Sequence, residues 1–245
     1  MKTYAEPISG SYKRPNDYEC DAYAFANDAW SPETVKALVE RLNAQQTAAE
    51  KRAAVVIGAG GLPYLLPHLR ASVVHVVDLS EEVPVLTSDR VAALGEHSSW
   101  PAYHEAVEAS LAPRDVSFYY EERRYVRKSG LEGDFRATRA AAAVTALRLH
   151  AGDFLHLAVS IGRDVAAEGQ EVAFANMTNI STWVGTPKEA GKLRVYNALR
   201  DLPLASDVVI VDSSQIDNWS CDPQPRLYTL EEYAEAAHQA LPRER

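Results

Sequence analysis

A glycine-rich turn between two apolar runs constrains the fold of this chain more than any other sequence feature. Residues 55–57 read Val-Val-Ile, residues 58–61 read Gly-Ala-Gly-Gly, and a second run at 73–77 ends on Asp78. A short apolar run bounded by turn residues is typical of a buried strand, and glycines let a ligand approach the backbone. The pattern predicts a β-α-β unit that binds a nucleotide at its turn.

The carboxylate after the second run indicates which part of a nucleotide this unit binds. Asp78 follows Gly60 by 18 residues, a spacing that places an acid near a ribose diol and disfavours a 2′-phosphate. The helix between the strands is expected at 62–70, shortened or kinked by Pro67. The dinucleotide fingerprint has its third glycine where this chain has Pro63, so NAD and FAD are disfavoured.

The glycine turn resembles the first motif of class I S-adenosylmethionine (SAM) dependent methyltransferases. The resemblance implies that Gly58, Gly60 and Gly61 face the aminocarboxypropyl and ribose parts of SAM, with Asp78 at the ribose. The chain departs from the family at Val56, because an acidic residue commonly stands two positions before the first glycine. The group that holds the methionine amino group must therefore come from elsewhere in the chain.

A second resemblance follows the strand expected at 146–151. The sequence Gly152-Asp153-Phe154 is similar to the Gly-Asp-apolar motif that follows the third strand in the same family. The resemblance implies that Asp153 contacts the adenine amino group and that Phe154 packs against the adenine face. The alternative is that Asp153 caps the following helix.

The expected fourth strand, near 171–176, ends in asparagines. Ligands of α/β sheets bind at the carboxyl ends of the strands, so Asn176 and Asn179 are candidate catalytic residues. Their amides can donate to a carboxylate and accept from an amine, which suits the methionine end of SAM or an amine acceptor. The alternative is an Asx-turn that closes the strand.

More than 60 residues separate Asp78 from the third strand, and this insertion, 80–143, is expected to cover the active site. It contains a predicted helix at 102–111, a strand-like run at 116–120 and a basic stretch at 123–128. Tyr119 and Tyr120 are candidates for orienting an acceptor. The basic stretch is either a solvated face or a site for a carboxylate or phosphate, which arginine binds bidentately.

The remaining pattern predicts a single α/β domain spanning 1–245. Further strands and helices alternate towards the C-terminus, at 188–200, 207–214 and 229–241, which predicts a doubly wound, mostly parallel, Rossmann-like sheet. Residues 1–30 are rich in aromatic side chains and are expected to form a lid. An amphipathic helix is expected at 32–50.

Composition limits the partners of this domain. The formal net charge is −9, which argues against nucleic acid and favours a small-molecule substrate. Neither a membrane-spanning run nor a metal-ligand spacing is visible, and we expect a cytoplasmic protein without a metal ion. The sequence leaves the oligomeric state open.

Several reactions remain compatible with this sequence. Methyl transfer from SAM to a small molecule is favoured. The long insertion and the phrase at 175–183 also resemble enzymes that act on the 3-amino-3-carboxypropyl group of SAM, including cyclisation to azetidine-2-carboxylate with release of methylthioadenosine. An NAD-linked oxidoreductase and a non-catalytic binding module are further alternatives. His104, His150 and His156 are the histidines considered as a general base.

Overall fold

The computed structural model describes residues 32–58, 61–79, 81–111, 127, 130–178, 180, 188–212 and 225–239. The strands of this part are β1 (Arg52–Ile57), β2 (Val73–Asp78), β3 (Ala146–Ala151), β4 (Glu171–Asn176), β5 (Leu204–Asp212) and β6 (Arg226–Tyr228). The helices are α1 (Pro32–Ala44), α2 (Leu62–Leu69), α3 (Glu82–Glu96), α4 (Trp100–Leu111), α5 (Phe135–Val144), α6 (Phe154–Ala167), α7 (Lys188–Leu199) and α8 (Leu230–Gln239). A short 3-10 turn, Ala49–Lys51, leads into β1.

The strands form one sheet in the order β3-β2-β1-β4-β5-β6. Neighbouring strands run parallel, except that β6 pairs antiparallel with β5. The strand order reverses between β1 and β4, which places a crevice at the carboxyl ends of these two strands. The prediction of a doubly wound, mostly parallel sheet is confirmed.

The central strands β2, β1 and β4 are buried on both faces between two helical layers, whereas the edge strand β3 is only partly buried. In β1, Ala54 and Val56 pack with α1 to α5, whereas Ala53 and Val55 pack with α6, α7 and α8. Successive side chains of a strand point to opposite faces, so a strand that is covered twice must be apolar at nearly every position. This burial explains the continuous apolar runs of the sequence.

The first helix ends earlier than the sequence pattern predicts. Helix α1 stops at Ala44 rather than near residue 50. The Gln45 amide donates instead to the carbonyl oxygens of Ala173 and Asp207, at 2.6 and 3.0 Å. Ala173 lies at a break in the register of β4, so the side chain of Gln45 satisfies a carbonyl at the irregularity. These long-range contacts end the helix.

The described part of segment 80–143 forms helices that pack on the sheet. Helix α4 confirms the helix predicted at 102–111, whereas α3 was not predicted. Trp100 and Phe135 stack edge to face at 5.1 Å between ring centroids and join the core beneath them. Tyr119, Tyr120 and most of the basic stretch lie outside the described residues, as does the segment 1–30, so the cap and the lid stay predictions. No helix in the described ranges is long and apolar enough to cross a membrane.

Candidate functional site

The carboxyl edge of the sheet gathers the polar positions that the sequence analysis selected. Gly58 follows β1, Asp78 ends β2, Asp153 follows β3 and Asn176 ends β4. These strands are parallel, so residues far apart in sequence meet at one edge, where ligands of this architecture bind.

Gly58 and Asp78 are direct neighbours at this edge. Gly58 has φ +71°, and a Cβ atom built on it would lie 3.6 Å from Asp78 Oδ2. Its N–H donates to the carbonyl oxygen of Val77 at 2.9 Å, which fixes the turn against the end of β2. Glycine is favoured here because other residues rarely adopt a positive φ. The turn therefore presents bare backbone beside a carboxylate.

Gly61 is the N-cap of helix α2 and also has a left-handed backbone, φ 65°. Pro63 stands in the first turn of α2, where its missing N–H leaves no helical bond unmade. Pro67 is accommodated inside this helix, which ends at Leu69. Gly60 lies outside the described residues, and its predicted contact with SAM stays a prediction.

Asp153 is the N-cap of helix α6. Its Oδ1 accepts a hydrogen bond from the Leu155 N–H at 2.9 Å, and its Oδ2 lies 3.7 Å from His156 Nδ1. Asp153 therefore caps the following helix, as one of the two alternatives from the sequence predicted. The Gly152 N–H donates to the Asp78 carbonyl oxygen at 2.7 Å, which places Asp153 beside the end of β2. The Asp153 side chain remains partly exposed there. Its contact with adenine stays a prediction.

Phe154 is a core residue in this structure. Its side chain is 1% exposed and packs in the layer that contains Val77 and Ala158. A ring that is covered by protein on this scale contributes to stability through burial. The predicted packing of Phe154 against adenine is untested, and the structure gives the ring a structural role.

Asn176 is fully buried at the end of β4. Its Oδ1 accepts a hydrogen bond from the Thr178 N–H at 3.2 Å, which is the predicted Asx-turn. Its Nδ2 is buried and has no hydrogen-bond partner among the residues that the structure describes. An unsatisfied buried donor is uncommon in a folded protein and calls for a physical explanation. Asn179 lies outside the described residues.

A buried charge cluster at the end of β5 was missed by the sequence analysis. Lys192 Nζ lies 3.5 Å from Asp212 Oδ2 and donates to the Tyr228 hydroxyl at 3.3 Å. The Tyr233 hydroxyl donates to Asp212 Oδ2 at 3.1 Å. Burial, and then the nearby Asp212 charge, raise the pKa of Tyr233 well above its usual value. The cluster joins four separate elements, so no local sequence pattern could identify it.

Two of the candidate histidines have partners inside the fold. His150 Nε2 lies 3.0 Å from His75 Nδ1 on the neighbouring strand, with the rings stacked. Burial and the adjacent His150 lower the pKa of His75 to about 4. His104 is buried, and its Nε2 lies 2.8 Å from Glu132 Oε1. These contacts favour structural roles over general-base catalysis.

The part of the basic stretch that the structure describes is neutralised by a carboxylate. Arg127 Nε donates to Glu132 Oε2 at 3.2 Å, and the Arg127 side chain is largely exposed. This pair favours the interpretation of a solvated face at this position. Within the described ranges, no group of three or more potential ligands could hold a metal ion.

Comparisons with known proteins give a weak similarity. No protein-family model matches the chain, and no curated protein matches it. Two structures of the rRNA methyltransferase aviRa from Streptomyces viridochromogenes have 15% and 16% identity and TM-scores of 0.44 and 0.45, covering 85% of this chain and 88% of theirs. PKMT2 from Rickettsia typhi, in complex with AdoHcy, has 11% identity and a TM-score of 0.39 over 77% of this chain and 25% of that chain. Similarity at this level carries no argument about activity, which must come from the site itself.

Proposed function

We propose that this chain binds SAM at the carboxyl edge of β1, β2 and β4 and transfers its methyl group to an acceptor molecule. The observation that carries the proposal is the contact between Gly58 and Asp78. A left-handed glycine whose Cβ position lies 3.6 Å, an ordinary van der Waals distance, from a carboxylate oxygen puts backbone without a side chain directly beside the acid, so that one ligand can touch both. The same two features are those that the sequence resemblance assigns to SAM binding.

The residues of this edge fit the parts of SAM. Asp78 is half-buried and can accept hydrogen bonds from both ribose hydroxyls, which are charge-assisted and therefore strong. The negative charge of Asp78 disfavours a ligand that carries a phosphate at this position. When bound, SAM supplies a methyl group that is activated by the attached sulfonium.

Pro63 favours SAM over a dinucleotide. The residue is buried in the first turn of α2, at the position where the dinucleotide fingerprint has its third glycine. That glycine lets the helix pack closely on the strand, and proline has a ring at the same place. An NAD-linked reaction is therefore the weaker alternative.

Positioning is the main catalytic contribution that this site can make. Holding an acceptor nucleophile in line with a reactive methyl group removes much of the entropic barrier. The net charge of −9 supports a small acceptor, because a nucleic-acid substrate requires a basic surface to offset its phosphates.

The first experiment is mass spectrometry of the purified chain incubated with SAM, with and without pools of small nucleophiles. We expect enzyme-dependent S-adenosylhomocysteine that appears only with an acceptor. Enzyme-dependent formation of methylthioadenosine without an acceptor would show that the chain acts on the aminocarboxypropyl group of SAM and not on its methyl group. Binding of NADH, with no binding of SAM or S-adenosylhomocysteine by calorimetry, would reject the proposal.

A further inference from the structure

In the part of the chain that the structure describes, Nδ2 of Asn176 is one of several buried side-chain atoms without a hydrogen-bond partner, and it lies at the carboxyl edge. The Thr178 N–H occupies Oδ1, and this bond determines which end of the amide is oxygen and which is nitrogen. Nδ2 is therefore a buried donor to which no described residue offers an acceptor. Leaving such a group unpaired lowers stability, and an acceptor on a bound ligand would remove this cost.

The neighbours of Asn176 in the sheet do not supply the missing acceptor. In register, Asn176 stands between Val56 on β1 and Val211 on β5. Residues in register on parallel strands share a face of the sheet, and both neighbours have hydrocarbon side chains. Val56 also stands at the position where the methyltransferase family that the glycine turn resembles commonly has an acidic residue. Nδ2 of Asn176 therefore lies on the strand next to the position that lacks this acid.

The strand order determines which part of a ligand reaches Asn176. Strands β2, β1 and β4 are consecutive, so Asp78 and Asn176 flank the glycine turn, two strand spacings or roughly 10 Å apart. A ligand whose ribose lies at Asp78 must cross the turn before it reaches β4. In SAM, the aminocarboxypropyl arm extends from the ribose and ends in an ammonium and a carboxylate. The ammonium only donates, so the carboxylate is the group that Nδ2 can bind.

We infer that Asn176 binds the carboxylate of the aminocarboxypropyl arm, with Nδ2 donating to a carboxylate oxygen. The inference rests on the proposed SAM site. Asn176 is then a ligand-binding residue whose Asx-turn holds the donor in place. The turn uses Oδ1 and the ligand uses Nδ2, so the two interpretations given in the sequence analysis hold together.

The test measures affinity by calorimetry and does not depend on turnover. Asn176→Asp keeps an oxygen for the Thr178 N–H but replaces the donor by a carboxylate, which repels the ligand carboxylate. We expect SAM and S-adenosylhomocysteine to bind about tenfold or more weakly. Methylthioadenosine lacks the arm, and its affinity should change by less than about twofold. The exposed Asn197→Asp on α7 is the matched control and should change neither affinity.

A second variant covers the risk that a buried charge prevents folding. Asn176→Ser retains a small oxygen acceptor for the turn and removes the amide donor. It should weaken SAM binding while leaving the affinity for decarboxylated SAM, which has the sulfonium and amine without the carboxylate, close to that of the wild type. Circular dichroism and thermal unfolding establish that each variant is folded.

The outcomes separate this inference from the proposed function. Equal weakening of SAM and methylthioadenosine would overturn it, because the contact would then involve the nucleoside. Unchanged SAM affinity in folded Asn176→Ser would overturn it as well. If the wild-type chain binds neither SAM nor methylthioadenosine, the proposed function fails, and the assignment of Asn176 fails with it.

Discussion

The two edges of the sheet use polar residues in different ways. At the amino edge, the Asp207 carboxylate accepts hydrogen bonds from the Gln46 and Thr47 N–H groups and from the Thr47 hydroxyl. The Arg52 guanidinium donates to the carbonyl oxygens of Gln45 and Thr47. These bonds tie the connection between α1 and β1 to the start of β5.

At the carboxyl edge, the corresponding groups are arranged around backbone turns. Gly58 has a positive φ beside the half-buried Asp78, and Asn176 keeps an unpaired buried donor. The amino edge also has unpaired atoms, Gln45 Oε1, Arg52 Nη1 and Gln170 Oε1. Gln45 and Arg52 each make two hydrogen bonds through their other atoms, and Gln170 Nε2 donates to the Ser72 hydroxyl at 2.9 Å. Departures from the usual rule that buried polar groups are paired are expected more often at functional sites. Under the proposed function, we expect the amino edge to contribute stability and the carboxyl edge to bind the ligand.

The cluster at the end of β5 is an exception to this division, because it lies at the carboxyl edge but is held together by buried contacts within the fold. We expect the largest loss of stability there. Lys192→Met removes the ammonium that lies 3.5 Å from the fully buried Asp212 carboxylate, which should lower the free energy of unfolding by about 3–5 kcal/mol. Urea unfolding measures the loss. The double variant Lys192→Met/Asp212→Asn removes both charges and should recover part of it; no recovery would mean that Lys192 acts through packing alone.

Asp207→Ala should destabilise the amino edge by about 2–4 kcal/mol, because three hydrogen bonds to one carboxylate are lost. Burial raises the pKa of Asp207, but hydrogen bonds from Thr47 and Gln46 outweigh it and lower the pKa overall, so the charged form is the bound one. Urea unfolding and SAM calorimetry should show a stability loss with unchanged affinity. A large loss of SAM affinity in the folded variant would contradict the division between the edges.

Asp78→Ala should have the opposite profile. Removing the ribose contacts should weaken SAM binding by about 1.5–3 kcal/mol, with a smaller effect on unfolding. Asp78→Asn is the matched control, since it keeps an acceptor but loses the charge and should weaken SAM binding less. Unchanged SAM affinity in Asp78→Ala would remove the central contact of the proposed site.

His75 lies in the middle of β2 and probes the sheet between the two edges. Its folded pKa of about 4 is below its unfolded value, so the unfolded chain binds more protons and stability falls as the pH decreases through this interval. From pH 7 to pH 5 the loss attributable to His75 should be about 2 kcal/mol. Chemical denaturation across this range measures it. In His75→Gln the slope should be shallower, and an identical slope would assign the pH dependence to other groups.

Sequence periodicity predicted the strands more accurately than the connections. Apolar runs such as 73–77 are visible because burial on both faces requires apolar residues along the whole strand. The end of α1 was misplaced, because Gln45 bonds to β4 and β5 instead of continuing the helix. Helix α3 was missed, although it follows β2 closely, since it contains Pro84 and its apolar residues do not form a clear helical stripe.

The residues of the candidate site divide in the same way. The sequence by itself determined the β-α-β unit, the glycine turn and the acid at the end of β2, because these depend on local spacing and backbone conformation. Only the tertiary structure decided that Asn176 carries an unpaired donor beside Val56, that Phe154 is covered, and that Lys192 meets Asp212. Such properties depend on which strands and helices become neighbours, and pairing between distant residues leaves no local pattern in a single sequence.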